Sequence, residues 1–241
     1  MIREDPANPV PDVQAQVLSP YINKHKGKRN SMQNKVIVFD VDGTLFDTKA
    51  GITSTINDVL SRYNMDPIDT EADKYIGPPI KQSLIKYKGF MEKDAEEATL
   101  MYRSIYINQY ISMSKLYDGM EETLQTLISK GYKLCIATMK TKSQIDKLLD
   151  ISGCEKYFDL VYDAREDGSL SKGQMLNSIK QETNHNATYY MVGDTMGDYN
   201  AAKEAGYKFI AADYGYGKIE AVDCTHVKSA EEILQIMIHQ D

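Results

Sequence analysis

The sequence predicts an α/β protein: a Rossmann-like parallel sheet core with helices on both faces, plus a small inserted α-helical domain. Three observations carry this reading. Continuous apolar runs at 36–39, 134–137 and 189–192 suit strands buried on both faces of a parallel sheet. From Gly119 onward, such runs alternate with segments whose apolar residues recur at helical spacing. Ahead of that alternation stands a helical stretch of roughly seventy residues, about twice a βαβ crossover of ~30 residues.

Taken in order, residues 1–34 do not resemble the rest. Pro6, Pro9, Pro11 and Pro20 interrupt them, and 24–29 is a short basic run, so a flexible, solvated leader is expected. The first strand, 36–39, ends in Asp40, Val41, Asp42 and Gly43. A helix is expected over 51–63, where Ile52, Ile56, Val59, Leu60 and Tyr63 form a stripe. Further helices are expected across 69–112, interrupted by the rigid turn Tyr75-Ile76-Gly77-Pro78-Pro79. Next come a helix at 120–130 ended by Gly131, the second strand, a helix through Leu149, and a short strand at 160–162. A helix near 174–183, the strand 189–192, a helix through Ala205, a strand at 209–211 and a last helix at 229–239 complete the alternation. Gly215-Tyr216-Gly217-Lys218 lacks P-loop spacing and reads as a loop near the mouth of a site.

The bulk numbers narrow the function classes. The chain has 241 residues, 42% hydrophobic and 26% charged, an ordinary globular composition. A net charge of −7 argues against a nucleic-acid partner, which needs basic patches. Three widely spaced cysteines without Cys-x-x-Cys suggest a reducing compartment, and a cytoplasmic location is expected. No apolar run approaches the ~20 residues of a membrane span.

Asp40 and Asp42 stand where open α/β sheets bind ligands, beyond the carboxyl end of a strand. Two carboxylates so close repel, so a divalent cation, a shared proton or a basic neighbour is expected. Thr138, Lys172, Asp194 and Asp198 fall at or after other strand ends, and right-handed crossovers bring such ends to one edge. Carboxylates, one hydroxyl and one ammonium suit phosphoryl transfer, and oxygen-only ligands favour Mg²⁺.

Asp40-Val41-Asp42-Gly43-Thr44-Leu45, Thr138, Lys172 and Gly193-Asp194-Thr195-Met196-Gly197-Asp198 resemble, in order, the four motifs of the haloacid dehalogenase-like superfamily. The resemblance runs from residue 36 to about 217, within the phosphoglycolate phosphatase-like branch that carries a helical type-1 cap. It implies a core of 35–50 and 118–241 and a cap of 51–117. It implies that Asp40 is a nucleophile forming an aspartyl-phosphate and that Asp42 is the general acid and base. Gly43, Thr44, Thr138, Met139 and Lys172 would bind substrate or phosphate. Asp40, Asp42 (through its backbone carbonyl), Asp194 and Asp198 would hold Mg²⁺. Met139 departs from the Asn common at that position, while Lys140 matches a basic residue common after it. Ile76-Gly77-Pro78-Pro79 would face the substrate, with hinges near 49–51 and 117–119.

The expected activity is therefore a Mg²⁺-dependent phosphatase for a small phosphorylated metabolite, of the phosphoglycolate or nucleoside 5′-monophosphate type. A β-phosphoglucomutase-like phosphomutase and a non-catalytic binding module are the alternatives. The chain would work as a monomer or homodimer.

Overall fold

A computed structural model describes residues 21–22, 34–184, 186–220 and 223–239. The expected leader, with its basic run, lies outside the described residues apart from 21–22 and 34. In chain order the strands are β1 (Tyr21–Ile22), β2 (Lys35–Phe39), β3 (Phe46–Asp47), β4 (Lys115–Leu116), β5 (Lys133–Ala137), β6 (Leu160–Tyr162), β7 (Thr188–Gly193), β8 (Lys208–Ala212) and β9 (Thr225–Val227). The helices are α1 (Lys49–Arg62), α2 (Ile80–Lys88), α3 (Glu92–Ile105), α4 (Met120–Ser129), α5 (Lys142–Ser152), α6 (Lys172–Glu182), α7 (Met196–Glu204) and α8 (Ala230–His239).

The main sheet runs β1-β6-β5-β2-β7-β8-β9. Six strands are parallel, and β1 pairs antiparallel with β6 at one edge. The chain builds outward from β2 through β5 and β6, then returns to β7 on the other side of β2. That reversal is a topological switch point, and it opens a crevice beyond the carboxyl ends of β2 and β7.

Alternate residues of each strand serve opposite faces. Ile37, Phe39, Leu134, Ile136, Val192 and Ile210 join Leu124, Ile145, Leu148 and Ile233 of the helices on one face. Val36, Val38, Cys135, Met191 and Phe209 join Met175, Leu176 and Ala202 on the other. Truncating Phe39, fully buried at the sheet centre, to Ala would cost about 3–5 kcal/mol.

Helices α1 to α3 occupy the chain between β3 and β4, which form a separate antiparallel ribbon, Phe46 opposite Leu116 and Asp47 opposite Lys115. At two residues each, these strands are too short to show a period in the sequence. A π-type turn, Tyr106–Tyr110, prolongs α3. Ile52, Ile56, Leu84, Ala95, Ala98 and Tyr102 share one continuous apolar cluster with the first face of the sheet.

The element boundaries differ from expectation in a few places. Helix α1 begins at Lys49, so Gly51 lies inside it. A Cβ at Gly51 would sit 2.7 Å from the Tyr110 carbonyl oxygen, so this glycine permits a close helix contact. Helix α6 begins at Lys172, earlier than its apolar stripe. Edge strand β9, with Thr225 and His226 exposed, has no apolar run to announce it.

Candidate active site

The site is built on the loop that leaves β2. The Asp40 N–H still donates to the Val192 carbonyl at 2.9 Å, so Asp40 continues the ladder toward β7. Val41, Leu45 and Phe46 are fully buried and anchor the following turn, in which the N–H groups of Leu45 and Phe46 both bond the Val41 carbonyl. Gly43 has φ +73°, and a Cβ there would lie 2.2 Å from Asp194 Oδ2. Both its conformation and the closeness of Asp194 therefore require glycine.

Three carboxylates meet in the crevice. Asp40, Asp194 and Asp198 are all buried, and one oxygen from each lies within 4.8 Å of the others. Asp194 follows β7, while Asp198 sits in the first turn of α7, where Thr195 donates to its Oδ2 from both N (3.0 Å) and Oγ1 (2.7 Å). Asp194 Oδ2 accepts the N–H groups of Tyr216 (2.8 Å) and Gly217 (3.2 Å). A Cβ at Gly215 would lie 2.4 Å from Asp194 Cβ. The Gly215–Gly217 loop, expected only near the mouth, thus grips a carboxylate with its backbone.

Lys172, in the first turn of α6, reaches Asp40 Oδ1 at 2.8 Å and also bonds Asp198 Oδ1. A helix N-terminus disfavours a cation, so these carboxylates supply its stabilisation. Burial opposes its charge, but Asp198 and Asp40 outweigh burial and hold the ammonium charged well above the usual lysine range. Burial likewise pushes the Asp40 carboxyl up, with Asp198, Asp194 and Asp42 acting in the same direction and Lys172 against it. Asp194 is raised to about 7, by burial and then by Asp198. Three carboxylates against one ammonium leave the crevice short of positive charge. Asp194 Oδ1 is buried and has no hydrogen-bond partner among the described residues. A hard divalent cation fits both observations: it would fill the orphaned acceptor and offset the repulsion.

Asp42 faces elsewhere. Its Oδ1 accepts from Thr48 Oγ1 (2.6 Å) and from Lys140 Nζ (2.9 Å). Lys140 is itself buried and bonds the Tyr106 hydroxyl at 3.3 Å, its Nζ lying 4.6 Å from that ring's centre. Thr138 is buried at the end of β5, and its Oγ1 accepts the Lys140 N–H at 3.2 Å, which leaves its own proton to donate. Thr44 is fully buried, and its carbonyl accepts from Tyr214.

Asp42, Met139 and Lys140 line a cavity of about 240 Å³, together with Tyr75, Tyr102 and Arg103 of the helical segment. Gly77, Pro78 and Pro79 line it too, and a Cβ on Gly77 would come within 3.1 Å of Thr195 Cγ2. Arg103 donates to the Glu166 carbonyl, and the Glu166 carboxylate accepts from Ser143 N (3.1 Å) and Oγ (2.9 Å). Sequence reading missed Thr48, Arg103 and Tyr216. The Gly-x-Gly pattern around Tyr216 was the one visible signal. The hydroxyl of Tyr216 accepts from Thr48 N (2.6 Å) and Lys49 N (3.0 Å) at the start of α1, and donates to Asp47 (2.6 Å).

The family model described as haloacid dehalogenase-like hydrolase matches residues 37–212. A 5′-nucleotidase of Pseudomonas aeruginosa is 30% identical over 184 residues, covering 75% of this chain and 83% of that protein. A phosphoglycolate phosphatase of Aquifex aeolicus is 30% identical over 190 residues, covering 78% and 88%. The crystal structure of a predicted phosphatase from Clostridium acetobutylicum superposes with a TM-score of 0.79 at 28% identity, over 86% of this chain and 99% of that one.

Proposed function

The chain belongs to the haloacid dehalogenase-like hydrolase family, and on that premise we propose that it hydrolyses a small-molecule phosphate monoester through an aspartyl-phosphate on Asp40. The observation that carries the proposal is the ion pair of buried Asp40 with half-buried Lys172, 2.8 Å apart, beside Asp194 and Asp198.

Asp40 attacks phosphorus with a carboxylate oxygen. Lys172 keeps that carboxylate oriented and pairs with a phosphoryl oxygen, while the Thr138 hydroxyl donates to another. Asp42 gives its proton to the leaving oxygen and later takes one from the water that cleaves the acyl-phosphate. Asp40, Asp194, Asp198 and the Asp42 carbonyl are the residues to hold Mg²⁺. When bound, Mg²⁺ supplies the positive charge that offsets carboxylates and phosphate together.

Helices α1 to α3 act as a cap, residues 51–117, over a core of 35–50 and 118–241. The cavity lined by Asp42 and by Tyr75, Gly77–Pro79 and Arg103 supports this reading, since it leaves room for a leaving group between core and helical segment. Phosphoglycolate and nucleoside 5′-monophosphates are the leading substrates, in keeping with the names of the two curated relatives. A cytoplasmic location fits three cysteines that form no disulfide among the described residues, where there is also no helix long and apolar enough to cross a membrane.

A phosphate-release screen with Mg²⁺ over phosphoglycolate, nucleoside monophosphates, sugar phosphates and pyrophosphate tests the reading. Turnover of one ester class, abolished by EDTA, is expected. No turnover on any ester would sink it.

A further inference from the structure

Edge strand β9 carries a second set of reactive side chains. Cys224 immediately precedes β9 and His226 lies within it, two positions on, so strand alternation turns both to one side. Cys224 Sγ stands 3.5 Å from His226 Nε2. His226 Nδ1 faces both carboxylate oxygens of Asp213, which follows β8, at 2.9 and 3.1 Å. A carboxylate on Nδ1 favours the tautomer protonated there, which turns the Nε2 lone pair toward the thiol. This is the relation of nucleophile, base and orienting acid that activates a weak nucleophile.

Burial pushes the Cys224 thiol up, and the carboxylates of Asp223 and Asp213 act the same way. The thiol therefore rests protonated at neutral pH, and its proton must pass to a base as it attacks. Cys224 also lines a surface pocket with Tyr199, Phe209, Lys203 and Lys208. Asp223 pairs with Lys203 at 3.3 Å, and Lys208 is the further cation among the lining residues.

We propose that Cys224 is a modification site, with His226 as its base and Asp213 as the residue that orients His226. It undergoes thiol–disulfide exchange with a small anionic disulfide. His226 Nε2 takes the Sγ proton, and Sγ attacks one sulfur of the incoming disulfide. The disulfide bond breaks, and the departing thiolate takes the proton from His226. One mixed disulfide forms and one thiol is released, so atoms and electrons balance. Cys135 and Cys154 are buried and stay out of reach.

The test uses the intact protein with glutathione disulfide at pH 7, read by intact mass and peptide mapping. A single adduct on Cys224 is expected, and none in Cys224→Ser. His226→Gln should slow the reaction by ~10²-fold, the low end of what a positioned base contributes. Asp213→Asn should slow it by a smaller factor. Melting temperature and phosphate-ester turnover of these variants should stay at wild-type values. Uncharged hydroxyethyl disulfide should react more slowly than glutathione disulfide. The proposal is overturned by an unreactive Cys224, or by variants of His226 and Asp213 that both react at the wild-type rate. Equal rates for the two disulfides would overturn the anionic preference.

Discussion

The Nζ of Lys140 lies 2.9 Å from Oδ1 of Asp42, and Thr48 Oγ1 donates to the same oxygen. Both donors engage one oxygen, so a proton carried by Asp42 sits on Oδ2. Lys140 also bonds Tyr106 of the helical segment, so one buried cation joins that segment to the carboxylate.

The first prediction follows from this pair. Lys140→Met should cut hydrolysis of alkyl phosphates by ~10²-fold, the low end for lost acid–base catalysis. Hydrolysis of p-nitrophenyl phosphate should fall much less, because its leaving group departs without a proton. Comparing kcat/KM for the two esters decides it. An equal fall on both would mean that Lys140 serves the fold alone.

Asp40→Asn should reduce turnover by at least ~10³-fold while circular dichroism and melting temperature are kept, since an amide cannot form the acyl-phosphate. A folded variant with near-normal turnover would contradict the nucleophile assignment.

Without metal, Asp194 holds its proton more tightly folded than unfolded: about 7 against 3.8. Its contribution to stability is then fully present below about pH 4 and lost as pH rises through 7. In EDTA, the melting temperature should fall between pH 5 and pH 8, and less steeply in Asp194→Asn. Mg²⁺ added at pH 8 should restore the wild type more than the variant. Parallel pH curves for the two proteins would remove Asp194 from the repulsive cluster.

On the proposed reading of helices α1 to α3 as a cap, the segment 76–81 should govern preference. Lys81, held by Glu92 (2.5 Å) and Glu96 (2.9 Å), lines the cavity beside Pro79 and Ile80. Changes at Ile76, Pro79 or Lys81 should alter the ratio of kcat/KM between metabolite esters while leaving p-nitrophenyl phosphate near wild type. If both kinds of ester slow together, the loop is structural.

Much of this was legible from residues. The runs at 36–39, 134–137 and 189–192 are apolar throughout because both faces of those strands are covered, and the polar residues that end them converge at one edge. The contacts of Asp42 were not legible. Thr48 has the look of an ordinary helix-start residue until the fold buries it, and the match of Lys140 to a basic motif position did not show that it would pair with Asp42. Tyr216 was hidden for a related reason: its backbone serves Asp194 while its hydroxyl serves α1, and no local pattern encodes a residue that works in two directions. The packing of Gly51 was not legible because the close neighbour that demands glycine, the Tyr110 carbonyl, is remote in sequence.

The place of β2 has a kinetic corollary. Asp40 acquires its neighbours only when β2 has docked with both β5 and β7, and the β7 pairing joins segments from opposite ends of the chain. Contacts of such long sequence separation carry a high loop-closure cost and form late in folding. A nascent or half-folded chain therefore presents Asp40 without Lys172, Asp194 or Asp198. On the proposed mechanism, such a chain has no means to become trapped as an acyl-phosphate.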